Sequence, residues 1–426
     1  MRVGRPLAAV AVTALALAGC SSGGGTTPAQ SGESTESSGS GGTQEIILLA
    51  YQSETVMQTV VDAFNESQSD VHVTVQTSEP TDGGSYAQAL QTRVAGNQAP
   101  DIFNIVAENR TDVLQHDLAM DLTGMPVVDT VPGSYLDLYR KDGGVYGVTF
   151  TAWMGGLVYN KDLLSQAGFD TVPDQWEEFA TMGPAFDGVA IPFLEDQAFS
   201  SGSLTSLIAS SMNAAGIDSA EWVYDGKTAD MTYAEAWTGP LTQWNSAIEA
   251  GTLSKESVGL GGDQIKSAFL SGEVAMFRSG NWDAADIEDA GINYGFAAFP
   301  AYPGGETYIN GGGDPAYAIS SASSPEKQEA AKTFLEWLGS ADGVKLLSEG
   351  QGAMSISDNF TSEAAPEFKD AYENNLKKGL FYWIEWSAGA PAMTATMSAQ
   401  QQMMIQGQAT PESFAEAMDA QAASIK

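Results

Sequence analysis

EIILLAYQSETVMQTVVDAFNESQSDVHVTVQT, residues 45–77, decides the fold class. The first seven residues, 45–51, form a short continuous apolar run, as in a parallel strand buried on both faces. Val56, Met57, Val60, Val61 and Phe64 then recur at helical spacing, and Val71, Val73 and Val75 alternate as in a second strand. Downstream, 86–94 reads as a helix and 101–106 as a third strand. Strand, helix, strand, helix, strand is the pattern of an α/β fold with a parallel sheet and crossover helices. Ligands of such sheets sit outside the carboxyl ends of the strands. Gln52, Ser53 and Glu54, just past the first strand, are therefore expected at a cleft, and so are Glu108 and Asn109, just past the third.

Before the first strand, residues 21–43 are almost entirely Ser, Gly, Thr, Pro and Gln. Such a stretch buries no core and reads as a flexible tether, with a root-mean-square span of about 25–30 Å. Upstream of it lies a short basic start, Arg2 and Arg5, and an apolar run from residue 7 to 18 broken only by Thr13. That run is too short to span a bilayer and reads as the core of a signal peptide, residues 1–19. It ends in Leu17-Ala18-Gly19-Cys20, which resembles the lipobox of bacterial lipoproteins, where the Cys thiol takes a diacylglyceryl group and the chain is cut before it. Cys20 is the lone Cys of the sequence, which excludes internal disulfides. The expectation is an exported protein held by lipid at Cys20 on the outer face of the cell membrane, with lipid as its one membrane contact.

The remaining chain is too long for a single ordinary core, so two lobes are expected. Without the leader, 16 basic side chains face 54 acidic ones, a formal charge of −38. A surface of that sign repels nucleic acid and anionic headgroups, so no nucleic-acid partner is expected. It also argues against an anionic ligand, unless a local basic pocket overrides the global charge.

Toward the carboxyl end, residues 157–290 read mostly as helix, rich in Trp, Ala and Met. Residues 294–299 and 316–320 read as strands flanking a Gly run at 311–313. Ser324, Pro325, an apolar face of Ala331, Phe334, Leu335 and Leu338, and Gly339 spell out a capped helix.

Four segments in order give the chain its resemblance. They are GNQAPDIF at 96–103, the stretch from 145 through LVYNKDLL at 157–164 and PDQWEEF at 173–179, FLSGEVAMFRSGNW at 269–282, and GGGDPAYAISSASSPEKQEAAKTFLEWLGSADG at 311–343. On these the chain, from about residue 44 to its end, resembles the family 1 extracellular solute-binding proteins of ATP-driven (ABC) importers, in the branch of the maltose-binding protein. The resemblance implies a two-lobed periplasmic-binding-protein-like α/β fold with a ligand cleft between the lobes and a three-crossing hinge. Carried over, the crossings fall near 149–153, 293–299 and 313–317. Lobe one is then 44–149 plus 297–314, and lobe two 154–293 plus 317–426. Hinged closure would trap the ligand. The resemblance further implies a monomer that captures a sugar outside the membrane and hands it to integral-membrane permease subunits. It implies neither metal nor cofactor nor catalysis.

A sugar has apolar C–H faces and a rim of hydroxyls, so it is bound by aromatic rings and planar polar groups. Trp282 matches the stacking Trp of the family's third segment. Trp153 stands at the first crossing, where the maltose-binding branch has an acid, and Trp386 lies in a late cleft-lining segment. A further stacking Trp of the family is replaced by Met397, which weakens the case for maltose-like oligosaccharides. Glu54, Glu108, Glu195, Asp196 and Asp314 are candidates for hydroxyl recognition, with Gln52, Asn109 and Gly312 beside them. Trp176 and Trp337 fall in helix motifs and read as core.

The same residues bear on other functions. A glycoside hydrolase needs two carboxylates about 5–9.5 Å apart, but the chain lacks the α/β repeat of a barrel. A serine esterase needs a Gly-x-Ser-x-Gly elbow, absent from the folded part. His72 and His116 sit in no metal-ligand spacing. Gly226-Lys227-Thr228 lacks the first Gly of a phosphate loop. A binder of a non-sugar solute, and a surface adhesion module on the same fold, stay open.

Overall fold

The computed structural model describes residues 42–78, 83–196, 202–217, 226–227, 230–313, 315–382, 384, 386 and 389–425. Cys20, the signal-peptide segment and the tether up to residue 41 lie outside these residues, as does Asp314.

The described strands are β1 (Gln44–Ala50), β2 (Val71–Thr77), β3 (Ile102–Ile105), β4 (Arg140–Lys141), β5 (Gly144–Val145), β6 (Thr151–Asn160), β7 (Ile191–Leu194), β8 (Val274–Gly280), β9 (Tyr294–Ala297), β10 (Asn310–Gly312), β11 (Ala316–Ile319) and β12 (Met354–Ser355). Two sheets carry the architecture. The first has the order β11-β3-β1-β2, the second β10-β6-β8-β7, with β9 and β12 also on β6; β4 and β5 form a small hairpin.

In the first sheet β1 runs parallel to β2 from Gln44↔Val71 to Ala50↔Thr77, and parallel to β3 at Leu48↔Ile102. The helix between β1 and β2, Glu54–Ser67, buries Met57, Val60, Val61 and Phe64. The capped helix, Pro325–Leu338, covers the same face. Ser324 Oγ accepts from Lys327 N at 3.4 Å, and Phe334 and Trp337 close edge-on around Phe64 at 5.0 and 5.4 Å. Gly339 ends this helix with φ −77°, so a left-handed cap is not its reason. A Cβ there would collide with Val127 and press on the Phe150 ring.

Second-sheet strands run through the stretch that reads as mostly helical. The ten residues of β6 are nearly all buried, and β6, β7 and β8 read as apolar runs because helices cover them. Aromatic rings dominate that cover: Trp176, Trp237 and Trp244 are essentially inaccessible, as the helix motif around Trp176 implied.

The lobe boundaries carried over by resemblance need correction. Residues 297–314 do not join lobe one, because β9 pairs with β6 at Leu157↔Ala297 and β10 pairs with β6 at Gly312↔Trp153. The stretch starting at 317 does not open in lobe two either, because β11 pairs with β3 from Ala316↔Ile105 to Ile319↔Ile102. The chain therefore passes between sheets at 148–151, 312–316 and 351–354, and not at 293–299. Three passages remain, and they lie side by side. Val148 and Tyr317 exchange backbone hydrogen bonds of 3.0 and 2.7 Å, and Ile356 N donates to Phe150 O at 3.0 Å. The misplacement has a plain cause: the resemblance fixes the order of segments along the chain, whereas sheet membership is fixed by pairing between distant residues, such as Gly312 with Trp153 and Ala316 with Ile105.

Candidate functional site

The site builds up from the ends of β6 and β8 beside the passages. Gly155 and Gly280 are paired residues of these strands, so two facing positions carry no side chain. The Trp282 ring lies over this bare patch. A Cβ on Gly155 would come within 3.0 Å of the ring, and one on Gly280 would collide with both the ring and Met154 O. Trp282 nonetheless stays 47% exposed, the most exposed large apolar side chain among the described residues. Trp153 meets it edge-on, with ring centroids 5.8 Å apart and an interplanar angle of 64°. Gly312 is the β10 partner of Trp153. Three residues distant in sequence, Trp153, Trp282 and Gly312, thus share one corner.

Polar groups frame the corner. Arg278 lies 5.8 Å from the centroid of the Trp282 ring and 3.5 Å from Asp196 in a mostly buried ion pair. Asp196 therefore stands near the corner through Arg278. Its neighbour Glu195 is turned inward: it is 5% exposed, and its carboxylate accepts from both N and Oγ of Ser203 at the start of helix Ser203–Ala214. Ser203 Oγ in turn accepts from Trp244 Nε1 at 2.9 Å. Burial pushes the Glu195 carboxyl up to about 7, against the hydrogen bonds from Ser203 that favour its ionised form.

The first lobe contributes differently. Gln52 follows β1, is 9% exposed, and donates from Nε2 to the Tyr317 hydroxyl at 2.8 Å. Its Oε1 is buried with no partner among the described residues. Glu54 and Glu108 are exposed, Glu54 in the first turn of its helix. Asn109 is occupied by its own loop, accepting from Val106 N at 2.9 Å and donating to Asn104 O at 3.1 Å. Trp386 is nearly buried among Trp237 and Tyr233, and its Nε1 donates to Thr394. It also walls a cavity of about 250 Å³ with Arg110, Thr111, Leu114, Gln115, Arg140 and Lys141 of the first lobe. Met397 is fully buried.

Sequence reasoning singled out neither Arg278 nor Asn281. Asn281 donates to Gly352 O and accepts from Met154 N, both at 2.9 Å. Its position next to Trp282 was the available signal. Among the described residues, no group of three or more His, Cys, Asp or Glu side chains could hold a metal ion, and no helix is long and apolar enough to cross a membrane.

Two sheet-centred lobes, three adjoining passages and an exposed aromatic corner beside them define a two-lobed α/β binding protein. Residues 50–345 match the family model of bacterial extracellular solute-binding proteins. The chain belongs to that family. It is 36% identical to a family 1 extracellular solute-binding protein from Bifidobacterium longum subsp. infantis, over 90% of this chain and 100% of that one, with a TM-score of 0.83. It is 24% identical to the multiple sugar-binding protein of Streptococcus mutans, over 80% of this chain and 82% of the relative. A maltooligosaccharide ABC transporter solute-binding lipoprotein of Streptococcus pneumoniae is 27% identical over 48% of each chain.

Proposed function

We propose that this protein is the substrate-capturing component of an ABC importer and that its cargo is a sugar, a mono- or oligosaccharide. The observation that carries the sugar is the Trp153–Trp282 corner. A large indole held open to solvent over a glycine floor is a platform for the apolar face of a pyranose or furanose ring. The relatives named for multiple sugars and for maltooligosaccharides support the same reading.

In this reading Trp282 stacks on the ring and Trp153 closes one side. Asp196 and Gln52 are acceptors for sugar hydroxyls, since a carboxylate and a carboxamide oxygen match that geometry. The remaining candidates Glu54, Glu108, Asn109, Gly312 and Trp386 serve at the rim or as support, and Glu195 supports helix Ser203–Ala214 from inside. The lobes close by rotation at the three passages. The protein acts as a monomer, is tethered by lipid on Cys20, and passes its cargo to permease subunits without changing it.

Mass spectrometry of small molecules released from freshly purified protein tests the cargo. A sugar is expected, and a peptide, amino acid or metal complex in its place overturns the reading. Incubation with a glycan library is expected to return every glycan unchanged; turnover abolished by an Asp or Glu substitution would favour a hydrolase. For the anchor, Cys20→Ala is expected to leave the protein unprocessed or released to the medium. Membrane retention at the wild-type level would exclude the lipid at Cys20.

A further inference from the structure

Strand β8 ends at Gly280, where its ladder with β6 has just paired Gly155↔Gly280. The next ladder position would set the backbone of residue 281 against Met154. Instead the Asn281 side chain takes over: its Oδ1 accepts from Met154 N at 2.9 Å, in place of a backbone carbonyl. The chain is thereby released to turn, and the following residue, Trp282, is presented outward. The other end of the same carboxamide reaches across the junction. Its Nδ2 donates at 2.9 Å to the carbonyl of Gly352, the left-handed cap, φ +61°, of helix Ala341–Gln351. That helix packs on the first lobe, and Gly352 lies in the third passage between lobes. The two bonds fix the amide orientation, since one partner is a donor and the other an acceptor.

We propose that Asn281 is a positioning residue that ties the Trp282 ring to the separation of the lobes. One carboxamide holds the root of the ring to the strand leaving the first passage and, simultaneously, to the first lobe's last helix. A displacement of Gly352 when the lobes rotate is transmitted to the ring, and a ligand that seats the ring biases the rotation. The neighbouring residue Gln351 marks the same junction. It accepts from Thr151 Oγ1 at 3.3 Å, while its buried Nε2 has no partner among the described residues. The arrangement of lobes seen here thus leaves one buried donor at this junction unsatisfied. The proposal rests on Trp282 being the ligand platform.

The test uses the full chain with Cys20→Ser, so that spin labels at Glu66→Cys and Asp289→Cys, both exposed, sit on the only thiols. Electron–electron resonance reads the distance between lobes. In parallel, 5-fluorotryptophan labelling reads the ring, its fluorine line assigned through Trp282→Phe. Asn281→Ala removes both bonds and is expected to shift the Trp282 line and to broaden the distance distribution beyond the labels' own spread. Asn281→Asp keeps the acceptor for Met154 N but loses the donor to Gly352. It is expected to leave the line near its wild-type position while broadening the distances as Ala does. Should Asn281→Ala fail to fold, Asn281→Asp still reads the tie to Gly352. Distances unchanged in a folded variant, or a Trp282 line unmoved in folded Asn281→Ala, overturn the proposal. No arm uses a sugar, so failure here leaves the sugar reading standing, while failure of sugar binding at Trp282 removes the ligand's part and leaves the measured tie between ring and lobes.

Discussion

At the residue scale, Trp282 and Glu195 answer to burial in opposite ways. Trp282 matches a family segment and was legible as a platform candidate; what the sequence did not reveal was the floor of Gly155 and Gly280 that keeps it raised. Truncating a binding hot spot costs about 2 kcal/mol or more, so Trp282→Ala is expected to lower affinity at least about thirtyfold. A core Trp→Ala costs about 3–5 kcal/mol of stability. Because nearly half of this ring is already in water, the melt without ligand is expected to lose much less. Calorimetry on the identified cargo and melting of the apo protein separate the two effects; a deep loss of stability with unchanged affinity would show Trp282 to be packing. Glu195 is one of the five acids that the sequence offers for hydroxyl recognition. Its carboxylate accepts from Ser203 N and Oγ, a direction that position in the sequence alone cannot give. Its pKa is raised from 4.5 to about 7 on folding, so the folded state binds the extra proton. The stability it contributes is fully present below about pH 4.5 and is lost as pH rises through 7, by at most about 3 kcal/mol. Glu195→Gln keeps an acceptor for Ser203 N and removes the titration. Thermal melts at pH 5 and pH 8 are expected to differ less in this variant than in wild type, and an equal difference would place the pH dependence elsewhere.

At the element scale, the legible parts were those with local signals. The apolar run of β1, the alternation of β2 and the capped helix Pro325–Leu338 emerged within a residue or two of their expected bounds. Strand β6 escaped because its code is not local: TAWMGGLVYN is buried on both faces and interrupted by two glycines. Such a run has no period of two and reads equally as buried helix. Those glycines earn their place through contact rather than flexibility. Gly156 faces Ala297 O and the Phe296 ring, as Gly280 faces Met154 O and Trp282. Backbone atoms of a central ladder cannot yield as a side-chain tip can. Gly280→Ala is therefore expected to push β8 away from β6, lowering stability by the roughly 1–3 kcal/mol typical of overpacking. It should also tilt Trp282 and weaken cargo binding. Chemical denaturation and calorimetry on the purified variant check both; a variant as stable as wild type would show that the strands have slack here.

At the scale of the whole molecule, the two-lobed class was legible from four ordered motifs, while the assignment of late segments to lobes was not. Motif order fixes the sequence of elements along the chain. Sheet membership is fixed by pairing between residues more than 150 apart, such as Ala316 with Ile105. The interleaving has a physical consequence that separates the observed division from the one carried over by resemblance. Residues 42–149 supply three strands of the first sheet, but β3 lacks its antiparallel neighbour and Phe64 lacks its cover. Tyr317, Ile319, Phe334, Leu335 and Leu338, all essentially buried, come from the later segment. At about 1.5–3 kcal/mol for each large apolar side chain buried, their loss rivals the 5–15 kcal/mol by which a domain is stable. A fragment of residues 42–149 is accordingly expected to stay unfolded. Because Val148 and Tyr317 are hydrogen-bonded neighbours, a short Gly-Ser linker can join 42–149 directly to 315–352 and complete the sheet. That fusion is expected to melt cooperatively and to give dispersed amide resonances. A matched fusion of 42–149 to 297–314 carries β10, which belongs on β6, and is expected to remain as disordered as the fragment alone. A folded product from this second fusion, or an unfolded one from the first, would mean that the lobes exchange their late segments in solution in the opposite sense.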